Sequence, residues 1–215
     1  MDLALDVLVP VWGSAVAGYL LGSIPTGYLL GRARGLDVTA IGSGRTGGTN
    51  VLRILGPGPA ALTAILDVAK GAFAVAVADT MFPSPLASAV SGTAAVIGHN
   101  WSVFIGWRGG AGTAAAFGAL LAIAPSFALV LGLIVPGMAL VTRYASVGSL
   151  AFAVFVPLAL TGSAMGGQAA WETAGFGWAA ALLILFSHRP NIVRLLRRQE
   201  RRLWEPVEPP SEAVG

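Results

Sequence analysis

Long apolar stretches alternate along the chain with short clusters of charged and glycine-rich residues. A transmembrane helix needs about 20 consecutive apolar residues. Five stretches without a charged side chain run for 25, 28, 34, 28 and 15 residues, and a sixth is broken only by Asp67 and Lys70. In chain order the six stretches are 7–31, 54–78, 80–107, 109–142, 144–171 and 173–187. This pattern predicts an all-α, polytopic integral membrane protein and argues against a soluble protein with several buried helices.

The stretch 109–142 is too long for a single crossing. Its 34 residues would extend about 51 Å as one helix, against a hydrocarbon core about 30 Å thick. Pro125 and Pro136 interrupt it. We therefore expect two half-length helices between 112 and 142, broken near Pro125, that return to the side from which they start. The other stretches predict five spanning helices, at about 8–31, 57–80, 86–107, 147–166 and 170–187.

The composition and the placement of charge agree with this architecture. Only 11% of the residues are charged, against about 25% in soluble domains, which argues against a disordered or nucleic-acid-binding protein. Twelve of the thirteen Lys and Arg residues lie in three clusters between or after the spans: 32–53, the pair Arg108 and Arg143, and 189–202. Because cationic loops stay in the cytoplasm, five crossings place the N-terminus outside, and the C-terminus and glycine-rich loops inside.

The two ends of the chain have their own patterns. Asp2 and Asp6, without Lys or Arg, precede a first apolar stretch too long for a signal peptide, so we expect a retained helix. Near the other end, apolar side chains share one face of a predicted helix at about 190–204, and arginines occupy the opposite face. This pattern is typical of an interfacial helix on anionic membrane lipid, although anchoring the topology explains the arginines equally well. We interpret 1–204 as one domain and 205–215, with three prolines, as a disordered tail.

Cysteine is absent and histidine occurs only at His99 and His188. The chain therefore has no disulfide, thiol nucleophile or Cys-ligated metal, and we expect neither a metal nor a cofactor. His188 lies where the last span meets the cytoplasm and could act as an acid, a base or a phosphate donor. An ordinary packing or interfacial role remains open for both histidines.

Two glycine-rich loops carry most of the candidate chemistry. The first glycine-rich loop (42–50) reads Gly-Ser-Gly-Arg-Thr-Gly-Gly-Thr-Asn, and Arg53 follows it. Glycines let backbone N–H groups converge on an anion, and the arginines favour phosphate as the guest. The loop also spells G-x-G-x-x-G and resembles a Walker A loop without its lysine, but both motifs need a preceding strand, which is not expected here. A flexible turn between helices is the alternative.

The second glycine-rich loop (107–113) reads Trp-Arg-Gly-Gly-Ala-Gly-Thr and enters a helix N-terminus, which also favours an anion.

Asp67 and Lys70 lie three residues apart inside a span, and we favour a structural ion pair over catalysis for them.

Together these segments resemble the bacterial acyl-phosphate-dependent glycerol-3-phosphate acyltransferases of the PlsY type. The segment 42–53 is similar to that family's GSGNxGATNxxR motif, Leu66-Asp67 and Lys70-Gly71 to LDxxKG, and 188–195 to HRxNIxRL. The resemblance implies five spans with two half-length helices, a bacterial cell membrane, and a monomer acting in phospholipid synthesis. It implies acyl transfer from acyl phosphate to the 1-hydroxyl of glycerol-3-phosphate, with lysophosphatidic acid and phosphate as products.

The resemblance also implies roles for individual residues. The predicted catalytic residues are Ser43, Arg53, His188 and Asn191. Substrate phosphate is predicted to contact Gly42, Ser43, Arg45, Gly47, Gly48, Thr49, Asn50, Arg53, Arg108, Gly109, Gly110 and Gly112, supported by His99, Asp67 and Lys70.

The chain departs from the family motifs at two places. Arg45 stands where the first motif has Asn, and the KGGKGVAT motif is replaced by Arg-Gly-Gly-Ala-Gly-Thr-Ala-Ala, so that Ala111 occupies the position of the second lysine. We hypothesise that Arg45 restores the lost charge from the neighbouring loop. These departures keep open a relative with another acyl donor or acceptor. A transporter of a phosphorylated solute is the other alternative, because broken helices and half-helix starts also build transporter sites.

Overall fold

The computed structural model describes residues 3–207, with side chains from residue 5 onward. Its elements are α1 (Leu3–Gly22), α2 (Thr26–Arg32), α3 (Gly48–Leu55), α4 (Pro57–Met81), α5 (Pro85–Asn100), a short 3-10 turn (Val103–Ile105), α6 (Thr113–Ile123), α7 (Pro125–Leu131), α8 (Ile134–Thr142), α9 (Ala145–Met165), α10 (Trp171–Ser187) and α11 (Arg189–Leu196). The predicted all-α class is confirmed.

Helix α5 lies at the centre of the bundle and packs against α1, α4, α6 and α10. Small residues allow its backbone to come close to that of α1. A Cβ atom at Gly18 or Gly22 of α1 would overlap the backbone of Ser91 or Ala95. Association of apolar helices in lipid depends on such close backbone packing, since lipid tails are as apolar as the side chains. The small residues of α1 and α5 therefore bring the C-terminal ends of these helices together.

A second packed layer joins α6, α9 and α10. Its largest fully buried side chains are Leu120, Phe152, Leu160, Phe176 and Ile184. They form one continuous apolar cluster, which fixes where α10 ends and thus where His188 lies.

The 109–142 stretch breaks near Pro125, as predicted, because α6 ends at Ile123 and α7 begins at Pro125. The second interruption differs from the expectation. Pro136 lies inside α8, and the chain turns earlier, at Gly132 and Leu133. Proline has no N–H for the carbonyl four residues before it, so the helix is interrupted one turn upstream of Pro136.

Length and composition qualify four of the described helical segments as membrane spans, and five if the bent pair α10 and α11 is counted as one. The segment Pro125–Thr142 is among them, whereas α6 is a half-length apolar helix. The expected pair of half-length helices is therefore one short helix followed by a longer broken one. The α5 helix ends at Asn100 rather than near 107, because the following residues form a loop. The count of five spans stays a prediction.

The predicted interfacial helix at 190–204 is shorter than expected. Helix α11 ends at Leu196, where Arg198 takes a left-handed φ of 57° and the Gln199 N–H donates to the Arg194 carbonyl at 2.8 Å. This bond and that from Arg198 N–H to the Leu195 carbonyl form a Schellman motif, which ends a helix. Leu203 therefore does not share the apolar face of α11. Residues 208–215, most of the predicted disordered tail, lie outside the described part of the chain.

Candidate active site

Asn50 organises the first glycine-rich loop from inside. Its side chain is buried, and its amide donates to the carbonyls of Val38, Ile41 and Arg45 at 3.1, 3.2 and 2.9 Å. Its Oδ1 accepts the Ser43 N–H at 3.0 Å. The side chain therefore holds the loop in shape, while Ser43 lies exposed at its surface.

Glycines in this loop are needed for its backbone conformation. Gly42 and Gly44 have φ of 66° and 69°, in the left-handed region. A Cβ atom at Gly42 would also overlap Asn50 Oδ1. Gly47 and Gly48 then begin α3, and Thr49 is half-buried in its first turn. The loop therefore leads directly into the α3 N-terminus, and a helix N-terminus favours an anion.

The second glycine-rich loop is folded against the end of α5. The Gly110 N–H donates to the His99 carbonyl at 2.9 Å, and a Cβ atom at Gly109 would overlap that same oxygen. Gly112 has a φ of 88° and immediately precedes α6. The loop therefore leads its glycines directly into the α6 N-terminus.

Main-chain and side-chain contacts bring both loops to the end of α10. The Thr46 N–H donates to the Gly109 carbonyl at 3.2 Å and links the two loops. Asn100 Nδ2 donates to Ser187 Oγ at 2.9 Å, and Arg45 donates to the Ser187 carbonyl. His188 is the next residue, so all three predicted segments meet at one end of the bundle.

His188 is buried, and its Nδ1 lies 2.8 Å from the Ile184 carbonyl oxygen. Since a carbonyl can only accept, Nδ1 carries the proton of a neutral ring and Nε2 is left as an acceptor. Burial lowers the pKa of His188, and the charges of Arg45 and Arg194 lower it further. The ring is therefore neutral at pH 7.

Asn191 is oriented by a carboxylate that the sequence analysis did not select. Glu200 Oε1 accepts from Asn191 Nδ2 at 2.7 Å and from Ser146 Oγ at 2.8 Å, while Oε2 accepts from Arg194 Nε at 2.8 Å. The Glu200 side chain is only 4% exposed. It therefore ties α9 and α11 together around Asn191. The available signal was a single acidic residue among six arginines between 189 and 202.

Arg53 is covered by the segment that follows α11, which we call the C-terminal strap (197–207). Its Nη2 donates to the carbonyls of Arg201 and Arg202 at 3.2 and 3.0 Å, and the Arg53 carbonyl accepts the Val207 N–H at 3.4 Å. Burial lowers the pKa of Arg53. The predicted disordered tail thus begins, at 205–207, as chain packed against α3.

Arg108 is exposed and turns toward the rim of the site. Its Nη1 donates to Thr39 Oγ1 at 3.0 Å. Asp37 accepts from the same threonine hydroxyl at 2.6 Å, and that hydrogen bond is the largest cause of its lowered pKa. Arg108 therefore belongs to a polar cluster beside the second glycine-rich loop.

Asp67, Lys70 and His99 form a buried cluster beneath the second glycine-rich loop. Asp67 Oδ1 lies 2.9 Å from Lys70 Nζ, accepts from Thr26 Oγ1 at 2.6 Å and lies 3.4 Å from His99 Nδ1. Lys70 also donates to the Ile24 carbonyl at 2.7 Å. A charge inside a membrane bundle needs such partners. The contacts join α2, α4 and α5 and agree with the structural ion pair favoured from sequence.

Known glycerol-3-phosphate acyltransferases match this chain along nearly its whole length. The family model described as glycerol-3-phosphate acyltransferase matches residues 12–198. A glycerol-3-phosphate acyltransferase of Thermus thermophilus is 45% identical over 201 residues, covering 92% of this chain and 97% of the relative. Glycerol-3-phosphate acyltransferase 1 of Deinococcus radiodurans is 42% identical over 189 residues, covering 88% and 93%.

A solved structure agrees with these relatives. The crystal structure of PlsY, an integral membrane glycerol 3-phosphate acyltransferase, in its glycerol 3-phosphate form superposes with a TM-score of 0.80 at 34% identity. The match covers 89% of this chain and 94% of that one. The chain belongs to the glycerol-3-phosphate acyltransferase family.

Proposed function

We propose that this acyltransferase takes its acyl group from acyl phosphate and attaches it to the 1-hydroxyl of glycerol-3-phosphate. The observation that supports this most is the meeting of two glycine-rich loops with Arg45 and His188 at one end of the bundle. Both substrates carry a phosphate, and backbone N–H groups with arginines suit two such anions. The products are 1-acylglycerol-3-phosphate and inorganic phosphate.

The reaction requires the protein mainly to position its substrates and to neutralise their negative charge. The 1-hydroxyl oxygen forms a bond to the acyl carbonyl carbon, and the bond from that carbon to the phosphate oxygen breaks. The leaving phosphate keeps the electron pair, and a substrate phosphate accepts the hydroxyl proton. Before transfer, the 1-hydroxyl donates a hydrogen bond to His188 Nε2, which orients it, and its proton passes to the substrate phosphate as the new bond forms. Asn191 completes the pocket. No acyl-enzyme on Ser43 is required.

The remaining site residues either contact a substrate phosphate or hold the loops in shape. We assign the glycine N–H groups, Arg45 and Arg53 to phosphate contact, with Ser43 and Thr49 as hydrogen-bond partners, while Arg108 lies at the rim. Asn50 acts by shaping the loop, since its amide donates to three loop carbonyls.

An apolar groove supplies a place for the acyl chain. It has a volume of about 670 Å³ and opens between α4 and α6, with Ile24, Leu66, Phe73 and Leu121 among its lining residues. Phe73 and Leu66 are exposed on the bundle surface, so an acyl chain can enter the groove from surrounding lipid.

We propose a monomer with the N-terminus outside and the site at the cytoplasmic face of a bacterial cell membrane.

An acyl-transfer assay tests the donor. Purified protein in detergent or lipid mesophase is given labelled glycerol-3-phosphate with palmitoyl phosphate, and with palmitoyl-CoA as the control donor. We expect lysophosphatidic acid and phosphate from palmitoyl phosphate alone. Product from palmitoyl-CoA alone, made by folded protein, would overturn the proposed donor.

The neutral state of His188 predicts the pH dependence of this reaction. A group with a lowered pKa becomes protonated only as the pH falls below its usual range, and protonation removes the Nε2 acceptor. The substrate phosphates also take up protons at about pH 6. The contribution of His188 to the rate should therefore hold steady as the pH falls through 6.5 and add a separate acid limb only in more acidic buffer. His188→Ala should lose at least about tenfold in kcat/KM, the low end for acid–base assistance, and should lose that acid limb. A near-normal rate with the limb intact would leave His188 a structural residue.

A further inference from the structure

We propose that Arg45 holds a substrate phosphate at the junction of the two glycine-rich loops and supplies the positive charge that the second loop lacks. The inference rests on the proposed function only in taking the ligand to be a phosphate monoester or acyl phosphate bound at this face. It assigns to one side chain a task that the sequence pattern spreads over three arginines.

The second glycine-rich loop has a cradle for an anion without a cation directed into it. Gly109, Gly110 and Gly112 lead into the α6 N-terminus, and Ala111 between them is neutral. The loop's own cation, Arg108, is exposed and donates to Thr39 on the rim. The charge that would neutralise a phosphate there has to come from another segment.

Arg45 extends from the first loop to the end of α10, beside the second loop. It donates through Nη2 to the carbonyl of Ser187, 142 positions away in sequence. Ser187 Oγ accepts from Asn100, and a Cβ atom at Gly112 would lie 2.9 Å from Asn100 Oδ1. One residue, Asn100, therefore separates the Ser187 end of the Arg45 contact from the second loop.

The Arg45 guanidinium has spare binding capacity. Its Nη1 is buried and has no hydrogen-bond partner among the described residues. An arginine nitrogen buried in this way is costly unless it meets an acceptor. A phosphate group is the acceptor that matches a guanidinium best, since its oxygens can accept two N–H groups at once.

The charged groups around Arg45 also favour a bound anion. Burial is the main cause of the lowered pKa of Arg45, and Arg194 adds to it. The carboxylate whose charge favours Arg45 is Glu200, but its oxygens already accept from Ser146, Asn191 and Arg194. The positive charge beside His188 is thus only partly compensated by the protein.

A set of five variants tests the proposal in purified protein. They are Arg45→Gln, Arg45→Lys, Ala111→Lys, the double variant of Arg45→Gln with Ala111→Lys, and Arg34→Gln as the matched control. Arg34 also donates to a main-chain carbonyl near a helix end, that of Leu30, but it is exposed and its side chain makes no hydrogen bond to either glycine-rich loop among the described residues. The assay measures KM separately for glycerol-3-phosphate and for palmitoyl phosphate. Thermal unfolding with and without inorganic phosphate gives a second readout that needs no turnover.

We expect Arg45→Gln to raise KM for at least one substrate by about tenfold or more, the size of one charge-assisted hydrogen bond. The substrate affected identifies which phosphate Arg45 holds. Arg45→Lys and the double variant should recover most of the loss, and Arg34→Gln should match the parent protein. Inorganic phosphate should raise the melting temperature of the parent and of Arg34→Gln, but not that of Arg45→Gln.

Two results would overturn the proposal. One is an unchanged KM for both substrates in folded Arg45→Gln. The other is a loss of stability or kcat that neither Arg45→Lys nor the double variant recovers, because Arg45 would then act only by holding the Ser187 carbonyl. Absence of turnover with palmitoyl phosphate in the parent protein would count against the proposed donor instead. Phosphate protection would still decide the role of Arg45 in that case.

Discussion

Replacing Arg53 by alanine is expected to lower turnover by about 100-fold or more while the protein stays folded. Removal of one preorganised donor that faces developing charge typically costs a factor of about 100 to 1,000. We propose that Arg53 performs that task. Its Nη2 is held by two carbonyls of the C-terminal strap, and its Nε is buried without a partner among the described residues.

The measurement is kcat and KM with both substrates saturating in turn, on protein whose folding is checked by thermal unfolding. Arg202→Ala is the matched control, because Arg53 contacts the Arg202 carbonyl and not its side chain. This control removes one exposed charge from the same face and should change the rate little. Wild-type turnover in Arg53→Ala would remove Arg53 from the site and leave it as an anchor for the strap.

Replacing Glu200 by alanine is expected to produce the largest loss of stability. Arg194, the ion-pair partner, is 36% exposed and becomes hydrated, so the pair itself contributes only about 0–1 kcal/mol. Most of the loss comes from buried or half-buried donors left without an acceptor, at about 1–3 kcal/mol each. The change leaves Ser146 Oγ and Asn191 Nδ2 without their acceptor. Since we propose that Asn191 completes the substrate pocket, the folded fraction should also lose activity.

Thermal unfolding in detergent measures the first effect, and turnover per folded molecule measures the second. Glu205→Ala is the matched control, because Glu205 lies in the same strap but is exposed and accepts only from the Arg202 N–H among the described contacts. Glu200→Gln should fall between the two, as an amide oxygen still accepts from Asn191. A melting temperature for Glu200→Ala equal to that of Glu205→Ala would show that the carboxylate is dispensable.

The positions of helices and loops followed from local pattern because the length of an apolar stretch and the breaks within it are properties of neighbouring residues. Apolar length predicted α4, α9 and α10, and Pro125 predicted the end of α6. The failure at Pro136 has the same local origin, since the missing N–H acts four residues upstream, where Gly132 allowed the chain to turn. The helix at 190–204 was overestimated because the apolar spacing continues to Leu203 although α11 ends at Leu196.

The segments that meet at the candidate site could be predicted, but the contacts of individual side chains within it could not. Glycine, arginine and histidine at the ends of spans indicated a phosphate site on one face. Nothing in the local pattern distinguishes Asn50, which points into its own loop, from a residue that contacts substrate. The pairing of Glu200 with Ser146 spans 54 positions, and no periodicity reports a contact at that distance.

The sequence by itself determined that this protein is an all-helical membrane protein of the glycerol-3-phosphate acyltransferase family, with its cationic and glycine-rich loops on one face. It did so because apolar length, charge asymmetry and short ordered motifs are properties of neighbouring residues. Only the tertiary structure decided that Arg45 reaches the end of α10, that Arg53 lies under the strap and that Glu200 orients Asn191. Each of these depends on where the packed helices bring distant backbone together, and close packing of small residues on α1 and α5 sets that geometry.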